Sequence, residues 1–319
     1  MNRVLFTSSR PLNRAENIAA IYHGYSGDKE FMQMNGLRTN KLLRSYRYSL
    51  IVADEIPSEA NAPVVLVGHG ITGGKKCYLD QHPGYVKPNE YKFVRWAITT
   101  SEEMIDISSK QLGLDKKNVY SLGMPRTDYY FGKSKGDGGT FLKEKRAYLY
   151  APTFRNKSET SGFELDLDYI DSILSDDEIF VLKPHMLMKW LGKRRYQHIF
   201  EVSPMEMSRD YILDCDVVIT DYSSIILDGY VASKPGVLFE KNSGYLESRG
   251  MYLDYPYEYC SRYATNEKML IDILRKADSM SDAEKRCLQR TAGSCDGRST
   301  ERVCEFIKKK IEGGARWQS

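Results

Sequence analysis

The chain has 319 residues, and its 46 lysines and arginines against 43 aspartates and glutamates give a formal net charge of +3 at pH 7. This length allows two domains of about 150 residues each, and so small a net charge gives no reason to expect a nucleic acid as partner. The six cysteines form no CxxC pair, which favours reduced thiols in a cytoplasmic protein over a zinc site or a disulfide framework.

Strands and helices are predicted to alternate through the first half of the chain. Apolar, β-rich runs predict strands at 4–7, 48–54, 63–67, 93–99 and 118–122, and amphipathic spacing predicts helices at 14–23, 35–44 and 101–112. The run GKSKGDGGT at 132–140 is rich in glycine, lysine and aspartate, and it predicts a linker or an exposed loop.

The second half repeats this alternation. Its predicted strands cover 147–151, 179–183, 217–220 and 237–239, and an amphipathic helix at 299–311 ends the pattern. Strands that alternate with helices indicate parallel sheets. We therefore expect an α/β, GT-B-like fold of two Rossmann-like domains facing each other across a cleft. The expected domains are residues 1–135 and 136–319, with the last helix able to pack back on the first domain.

The most informative segment is DVVITDYSSIILDGYVASKPGVLF, residues 216–239. A short apolar strand ends at Thr220, the polar turn Asp221-Tyr222-Ser223-Ser224 follows, and an apolar segment with helical spacing comes next. Free N–H groups and the helix dipole make such a turn a candidate phosphate site. The alternative is that Ser223 or Ser224 simply caps the helix.

A glycine-rich loop follows another predicted strand, in VVLVGHGITGGKK at 64–76. His69 lies between two glycines, and its ordinary pKa near neutrality suits a general base. Gly70, Thr72 and Lys75 add groups that could contact a ligand. The alternative is a surface or structural histidine. The loop is neither a Walker A motif nor GxGxxG.

Further polar residues follow other strand ends, where ligands bind in open parallel sheets. They are Arg126 in LGMPRTD, Thr153 and Arg155 in YAPTFR, Lys183 and His185 in VLKPH, and Arg298 and Ser299 in CDGRSTERV. Three of these four segments have a structural alternative: an Arg126–Asp128 surface pair, a packed His185 imidazole, and an ordinary cap at Ser299. No HxxxH, HExxH or GxSxG motif is present, and Asp166-Leu167-Asp168 resembles a loop entering a helix, so we expect no metal and no cofactor.

Taken together, these segments resemble the CDP-glycerol glycerophosphotransferase family of teichoic-acid and capsule synthesis. The similar pieces are VGHGITGGKK, LGMPRTD, YAPTFR, VLKPH, VVITDYSSIILDGYVASKPGVLF, RGMYLDY and CDGRSTERV, which span about residues 64–305 in the family's order. The resemblance implies transfer of a polyol phosphate from CDP-glycerol or CDP-ribitol to a hydroxyl of a glycan or lipid-linked acceptor. CMP would be released without a metal ion.

The resemblance also implies roles for individual residues. His69 and His185 occupy the positions of the family's active-centre histidines. The turn from Thr220 to Ser224 would bind the donor's phosphates. In the mechanism that fits this chemistry, Arg126, Lys183, His185 and the Ser223–Ser224 helix terminus stabilise the charge on the departing CMP. One departure is HGITGGK where the family often has HGTPLK, so the acceptor side at Gly70, Thr72 and Lys75 is expected to differ. The short chain also resembles a bare catalytic module.

Two other functions stay open at this stage. A GT-B glycosyltransferase that uses a nucleotide sugar would share the fold and the phosphate turn. A non-catalytic nucleotide-binding subunit would share the binding site but would have no use for a base at His69.

No apolar segment approaches the roughly 18 residues of a transmembrane helix, so a cytoplasmic protein is expected. Basic clusters at 75–76, 143–146, 193–195 and 308–310 could also hold it peripherally on the anionic inner face of the membrane. Scattered solvated charge is the alternative interpretation.

Overall fold

The computed structural model describes residues 2–34, 43–45, 47–57, 59–68, 70–71, 76, 92–153, 165–185, 196–241 and 250–314. The chain divides into two compact units, Met1–Tyr129 with Gln289–Ser319, and Tyr130–Leu288. The chain passes from the first unit to the second between Tyr129 and Tyr130, close to the boundary between residues 135 and 136 that the sequence predicts. Gln289–Ser319 lie within the expected range 136–319 but belong to the first unit, the domain on which the last helix was expected to be able to pack.

The first unit is built on a six-stranded sheet in the order β2-β1-β3-β4-β5-β6, in which every neighbouring pair is parallel. Its strands are β1 Val4–Ser8, β2 Lys29–Gln33, β3 Leu50–Ala53, β4 Val64–Leu66, β5 Val94–Thr99 and β6 Val119–Ser121. The strand order reverses between β1 and β3, which are neighbours in the sheet.

The second unit has a second wholly parallel, six-stranded sheet in the order β12-β11-β10-β7-β8-β9. Its strands are β7 Arg146–Tyr150, β8 Glu178–Leu182, β9 Ile199–Glu201, β10 Val217–Thr220, β11 Gly236–Phe239 and β12 Tyr263–Ala264. Counted from β7, this is the Rossmann order, and the order reverses between β7 and β10. The prediction of an α/β fold with two parallel-sheet domains is confirmed.

Helices lie between strands in both units, and the last three helices follow β12. Among the described residues they are α1 Glu16–Gly24, α2 Met104–Leu112, α3 Leu167–Ile173, α4 Ser208–Asp214, α5 Ile225–Val231, α6 Glu267–Leu274, α7 Asp282–Ala292 and α8 Ser299–Glu312. Each α-helical crossover returns the chain to the same edge of the sheet, which keeps the strands parallel.

Each unit has its own apolar core. In the second unit, central strands such as β10 are buried along their whole length, because helices cover both faces of a parallel sheet. In the first unit, α8 contributes Val303, Phe306, Ile307 and Ile311 to a core that contains β1 and α1 residues. Full burial of side chains of this size stabilises a fold by about 1.5–3 kcal/mol each.

Candidate functional site

The two strands at the reversal point of the second sheet end in polar residues. Thr153 follows β7, and Thr220 ends β10, with Asp221, Ser223 and Ser224 directly after it. In open parallel sheets, ligands bind at such a point, outside the carboxyl ends of the strands. The strand order therefore favours this edge as the ligand site of the second unit.

Asp221 and Thr220 join the loops that follow these two strands. Asp221 is 2% exposed, and its Oδ1 accepts the N–H groups of Thr153 at 2.8 Å and Tyr222 at 2.6 Å. The hydroxyl of Thr220 donates to the Ala151 carbonyl at 2.6 Å. These bonds fix the two loops against each other, so the backbone at the reversal point is preorganised.

Ser223 and Ser224 lie half-buried at the start of α5. Ser223 Oγ accepts the N–H of Ile225 at 3.4 Å, a long and weak contact. Ser224 is the N-cap residue, but its side chain makes no capping hydrogen bond. The Ser224 hydroxyl therefore has no capping role in the structure, and the simple-cap interpretation is not favoured for it.

Lys183 and His185 follow β8, the strand next to β7. The Lys183 N–H continues the ladder by donating to the Tyr150 carbonyl at 2.9 Å. Its side chain is buried, and Nζ lies 3.4 Å from the Pro184 carbonyl oxygen and 3.3 Å from that of Pro204. His185 is exposed. The sheet thus brings both residues to the edge that carries Thr153 and Asp221.

A tyrosine supports the Asp221 turn. The Tyr255 hydroxyl donates to the Asp221 carbonyl at 3.3 Å, and its ring lies 4.9 Å from that of Tyr222. Burial, with the nearby charge of Glu240, raises the pKa of Tyr255 far above its ordinary value. Tyr255 is therefore a neutral hydrogen-bond donor at physiological pH, and its contacts are structural.

In the first unit, Asn17 joins two strand-end loops. Its Nδ2 donates to the Gly68 carbonyl at 3.0 Å and lies 2.8 Å from the Met124 Sδ. Its Oδ1 accepts the N–H of Arg126 at 2.9 Å. Arg126 also pairs with Glu16, with Nη1 and Oε2 at 3.4 Å. The arginine predicted at this edge is thus held by its backbone and by its guanidinium.

Asp128 does not pair with Arg126 but contacts the start of α8. Its two carboxylate oxygens accept the N–H groups of Ser299 at 3.0 Å and Thr300 at 2.7 Å. Arg298 pairs with Glu301 at the surface. The first amides of α8 are therefore bound by a carboxylate from another segment, and the Ser299 hydroxyl does not cap the helix, contrary to the alternative considered for it.

Several predicted site residues lie outside the described part of the chain. They are His69, Thr72, Lys75 and Arg155. Of the predicted acceptor-side residues, Gly70 is described, and it is half-buried. The roles assigned to all of these residues stay predictions.

The described residues contain no group of three or more histidine, cysteine, aspartate or glutamate side chains arranged to hold a metal ion. Asp166, part of the DxD spacing noted in the sequence, is the N-cap of α3 and accepts the Tyr169 N–H. Within the same described ranges, no helix has the length and apolar character needed to cross a membrane.

Sequence reasoning missed Asn17 and a buried pair, Ser8 and Asp54, at the reversal point of the first sheet. The Ser8 hydroxyl donates to Asp54 Oδ2 at 2.8 Å, while Oδ1 is buried without a hydrogen-bond partner. Burial raises the pKa of Asp54 to about 6, against the lowering effect of the Ser8 hydrogen bond. A signal for their location did exist, because Ser8 ends β1, Asp54 directly follows β3, and Asn17 lies at the start of the helix after β1.

Comparison with known proteins now adds to this geometry. A family model described as CDP-glycerol:poly(glycerophosphate) glycerophosphotransferase matches residues 56–309. A teichoic acid poly(ribitol-phosphate) polymerase of Bacillus spizizenii is 28% identical over 254 residues, which cover 75% of this chain and 40% of that protein. A teichoic acid glycerol-phosphate transferase of Staphylococcus aureus is 28% identical over 178 residues, 52% of this chain and 46% of that protein. The resemblance inferred from the motifs is confirmed.

Solved structures show the same fold. A wall teichoic acid polymerase, TagF, matches with a TM-score of 0.77 at 18% identity, covering 98% of this chain and 90% of that one. A UDP-N-acetylglucosamine 2-epimerase matches with a TM-score of 0.62 at 10% identity, covering 100% and 98%. At these identities the likeness concerns fold alone. The chain spans about half the length of the curated relatives it matches.

Proposed function

We propose, because the chain belongs to the CDP-glycerol:poly(glycerophosphate) glycerophosphotransferase family, that it transfers a polyol phosphate from a CDP-linked donor to a hydroxyl of a glycan acceptor. The observation that carries the proposal is the extent of the family match, which begins in the first unit and runs through the second to the last helix. It includes every strand-end segment that the sequence analysis singled out.

The second unit is the proposed donor side. Its Rossmann strand order and its preorganised loops after β7 and β10 support a site for the donor's diphosphate. In this proposal the Ser223 and Ser224 hydroxyls and the exposed His185 contact phosphate oxygens, and Lys183 adds positive charge at the same edge. A wall teichoic acid polymerase of the same fold has been soaked with CDPG, which also supports a CDP-linked donor.

The proposed step is an in-line displacement at the phosphorus that bears the polyol. The acceptor oxygen forms a new bond to this phosphorus, and the bond from phosphorus to the CMP oxygen breaks. His69 accepts the proton of the attacking hydroxyl, and CMP leaves with the electron pair of the broken bond. Serine hydroxyls and cationic groups placed around the leaving phosphate would stabilise its growing charge.

We further propose that this step needs no divalent ion. Its support is the set of cationic and hydroxyl donors at the strand edge, which can offset the charge that a metal ion would otherwise neutralise. Unchanged transfer after treatment with EDTA is the expected result. Loss of transfer that Mg²⁺ restores would refute this part of the proposal.

The experiment that tests the function incubates the full chain with CDP-glycerol, CDP-ribitol and UDP-sugars in separate reactions with a teichoic-acid oligomer as acceptor. Release of CMP together with a phosphorus-containing product is expected from at least one CDP-polyol. The His69→Ala variant is the control for contaminating activity, and it should lose about 10²–10⁴-fold in rate if His69 is the base.

Other outcomes would favour the alternatives. Transfer of a sugar from a UDP donor would indicate a glycosyltransferase, and nucleotide binding without turnover would indicate a binding subunit. A clear preference between CDP-glycerol and CDP-ribitol would identify the polyol.

A further inference from the structure

Asn17 is a buried amide at the start of α1 whose polar atoms all contact other segments of the first unit. The residue is 2% exposed. One side of the amide binds the Gly68 carbonyl and the Met124 sulfur, and the other side binds the Arg126 N–H. Gly68 follows β4 and the Met124–Arg126 turn follows β6, and β5 lies between these strands. The side chain therefore links two loops that strand pairing does not join.

The hydrogen bond to Gly68 shows which part of the backbone Asn17 holds. Gly68 has φ of +64°, a left-handed conformation that glycine adopts without strain, and a Cβ there would meet no atom of the described residues within 4 Å. The glycine therefore suits the backbone conformation of this position. Its carbonyl belongs to the peptide bond that leads into His69, and a peptide bond is planar. Fixing the Gly68 oxygen therefore fixes the orientation of this peptide group.

The Arg126 side of the link is equally constrained. The Arg126 N–H is held by Asn17, and its guanidinium pairs with Glu16, the residue before Asn17. Gly123, in the same turn, has φ of +85°, and a Cβ there would lie 2.4 Å from the Ser294 carbonyl oxygen. The turn thus packs closely against neighbouring backbone, which restricts its movement. Because Arg126 in this turn binds Asn17, the Asn17 amide is held in place where it binds Gly68.

We propose that Asn17 is a positioning residue of the transfer reaction, holding the Gly68 carbonyl to the Arg126 turn through its amide. This inference depends on the proposed function, in which His69 is the base. Asn17 does not touch the reacting atoms. It acts by keeping the Gly68 carbonyl, and so the entry to the loop, in one place.

The Asn17→Asp variant tests the proposal because it keeps the shape of the side chain. Its carboxylate can still accept the Arg126 N–H, but it cannot donate to the Gly68 carbonyl and repels that oxygen instead. A small displacement of a catalytic group can cost about 10²-fold in rate. We expect kcat to fall by about 10- to 100-fold, with donor KM within about threefold of wild type. At lower pH, the kcat of the variant should come closer to the wild-type kcat measured at the same pH, because a protonated carboxyl can donate to the Gly68 carbonyl.

The matched control is Asn13→Asp, which makes the same chemical change at an exposed position in the turn before α1. It should leave kcat, donor KM and the unfolding temperature unchanged. Wild-type kcat in a folded Asn17→Asp variant would overturn the proposal. So would an equal loss of kcat in the Asn13→Asp control.

Hydrogen exchange gives a second readout that needs no substrate. In Asn17→Asp, peptides covering residues 66–71 and 122–128 should both exchange faster than in wild type, while the β7 and β10 peptides of the second unit should not change. Unchanged exchange in the two loops would refute the link whatever the enzyme's activity. If the wild-type chain fails to use any CDP-polyol, the proposed function fails, and exchange still decides whether Asn17 joins the loops.

Discussion

Side-chain oxygens at the β10 edge divide into two kinds. Those of Thr220 and Asp221 are committed to the loops after β7 and β10, where they bind the Ala151 carbonyl and the Thr153 and Tyr222 N–H groups. The Ser224 hydroxyl has no capping bond and lies half-buried beside them. Loss of an oxygen of the first kind should affect stability, and loss of one of the second kind should affect ligand binding.

The Ser224→Ala variant tests this division. A hydrogen bond to a charged group contributes about 1.5–3 kcal/mol, so we expect donor KM to rise by about 10- to 100-fold with an unchanged unfolding temperature. The control is Thr220→Val, which removes the buried bond to Ala151 and should lower the unfolding free energy by about 1–3 kcal/mol. Steady-state kinetics and thermal unfolding measure the two effects. If Ser224→Ala loses stability but keeps its donor KM, the hydroxyl is structural.

Asp54 gives a pH-dependent prediction for the first unit. Its pKa is raised to about 6 in the folded state, so between about pH 4 and pH 6 the folded state binds more protons than the unfolded state. The contribution of Asp54 to stability is therefore fully present below about pH 4 and is lost as the pH rises through about 6. The groups that bear on it are Ser8, Glu55 and Arg10.

The Asp54→Asn variant removes this titration. We expect it to be more stable than wild type at pH 7 by up to about 3 kcal/mol, a difference that shrinks towards zero near pH 4. Urea unfolding across this pH range measures the difference. Glu55→Gln, at the next residue, is the control. Its difference from wild type in the free energy of unfolding should change much less with pH. A wild-type chain that gains stability relative to Asp54→Asn as the pH rises would contradict the assignment.

At the level of elements, the polar run 132–140 is more ordered than its composition indicates. Asp214, fully buried at the end of α4, accepts four hydrogen bonds from this run: the Gly136, Gly138 and Thr140 N–H groups and the Thr140 hydroxyl. Burial alone would raise the pKa of Asp214, but these four donors hold it below its ordinary value. One carboxylate thus fixes the chain's entry into the second unit.

Replacement of Asp214 by alanine should therefore destabilise the second unit. Four donors would lose a charged partner, so we expect a loss of roughly 3 kcal/mol or more in the unfolding free energy. The control is Asp137→Ala in the same run, an exposed residue that accepts one hydrogen bond from the Ser134 N–H and should cost well under 1 kcal/mol. Equal effects of the two variants in chemical denaturation would show that the Asp214 contacts do not order the run.

The elements that sequence reasoning found and missed differ in a physical way. Central strands such as β3 and β10 are buried on both faces and form continuous apolar runs, so they were predicted. The missed strands β2, β9 and β12 all lie at sheet edges, where the polar run Lys29–Gln33 and strands of two or three residues give little signal. The helix expected at 101–112 begins at Met104 because the Ser101 hydroxyl binds the Arg290 carbonyl instead of capping it.

The residues of the candidate site, like the strands, were predictable from the sequence only in part. Residues that follow a buried parallel strand can be placed at its carboxyl edge from sequence alone, which is how Asp221 and Lys183 were found. Whether such a residue faces a ligand or a neighbouring loop depends on contacts between distant segments. The Asn17–Gly68 and Asp128–Ser299 bonds are of this kind, and no local pattern encodes them.

For the whole molecule, the charge distribution bears on the proposed peripheral binding to membranes. Two of the basic clusters, 143–146 and 308–310, lie in the described ranges, and each has cations that are already engaged. Arg146 pairs with Asp278 at 2.9 Å, and the Lys310 Nζ lies within 5.0 Å of the ring centroids of Trp96, Tyr120 and Phe306. Lys308 and Lys309 are exposed.

Lys143 and Lys145 of the other described cluster are exposed as well. Each cation near an anionic bilayer contributes about 1 kcal/mol, so these two small clusters support only weak attraction. We predict measurable co-sedimentation with phosphatidylserine-containing vesicles at low salt and its loss at about 150 mM salt, where screening acts over about 8 Å. Vesicles without anionic lipid are the control, and the double variant Lys308→Gln, Lys309→Gln should bind less than wild type at low salt. Binding that survives the higher salt, or that the double variant retains in full, would place the contact on another surface. Absence of binding even at low salt would favour an acceptor that is not carried on a membrane.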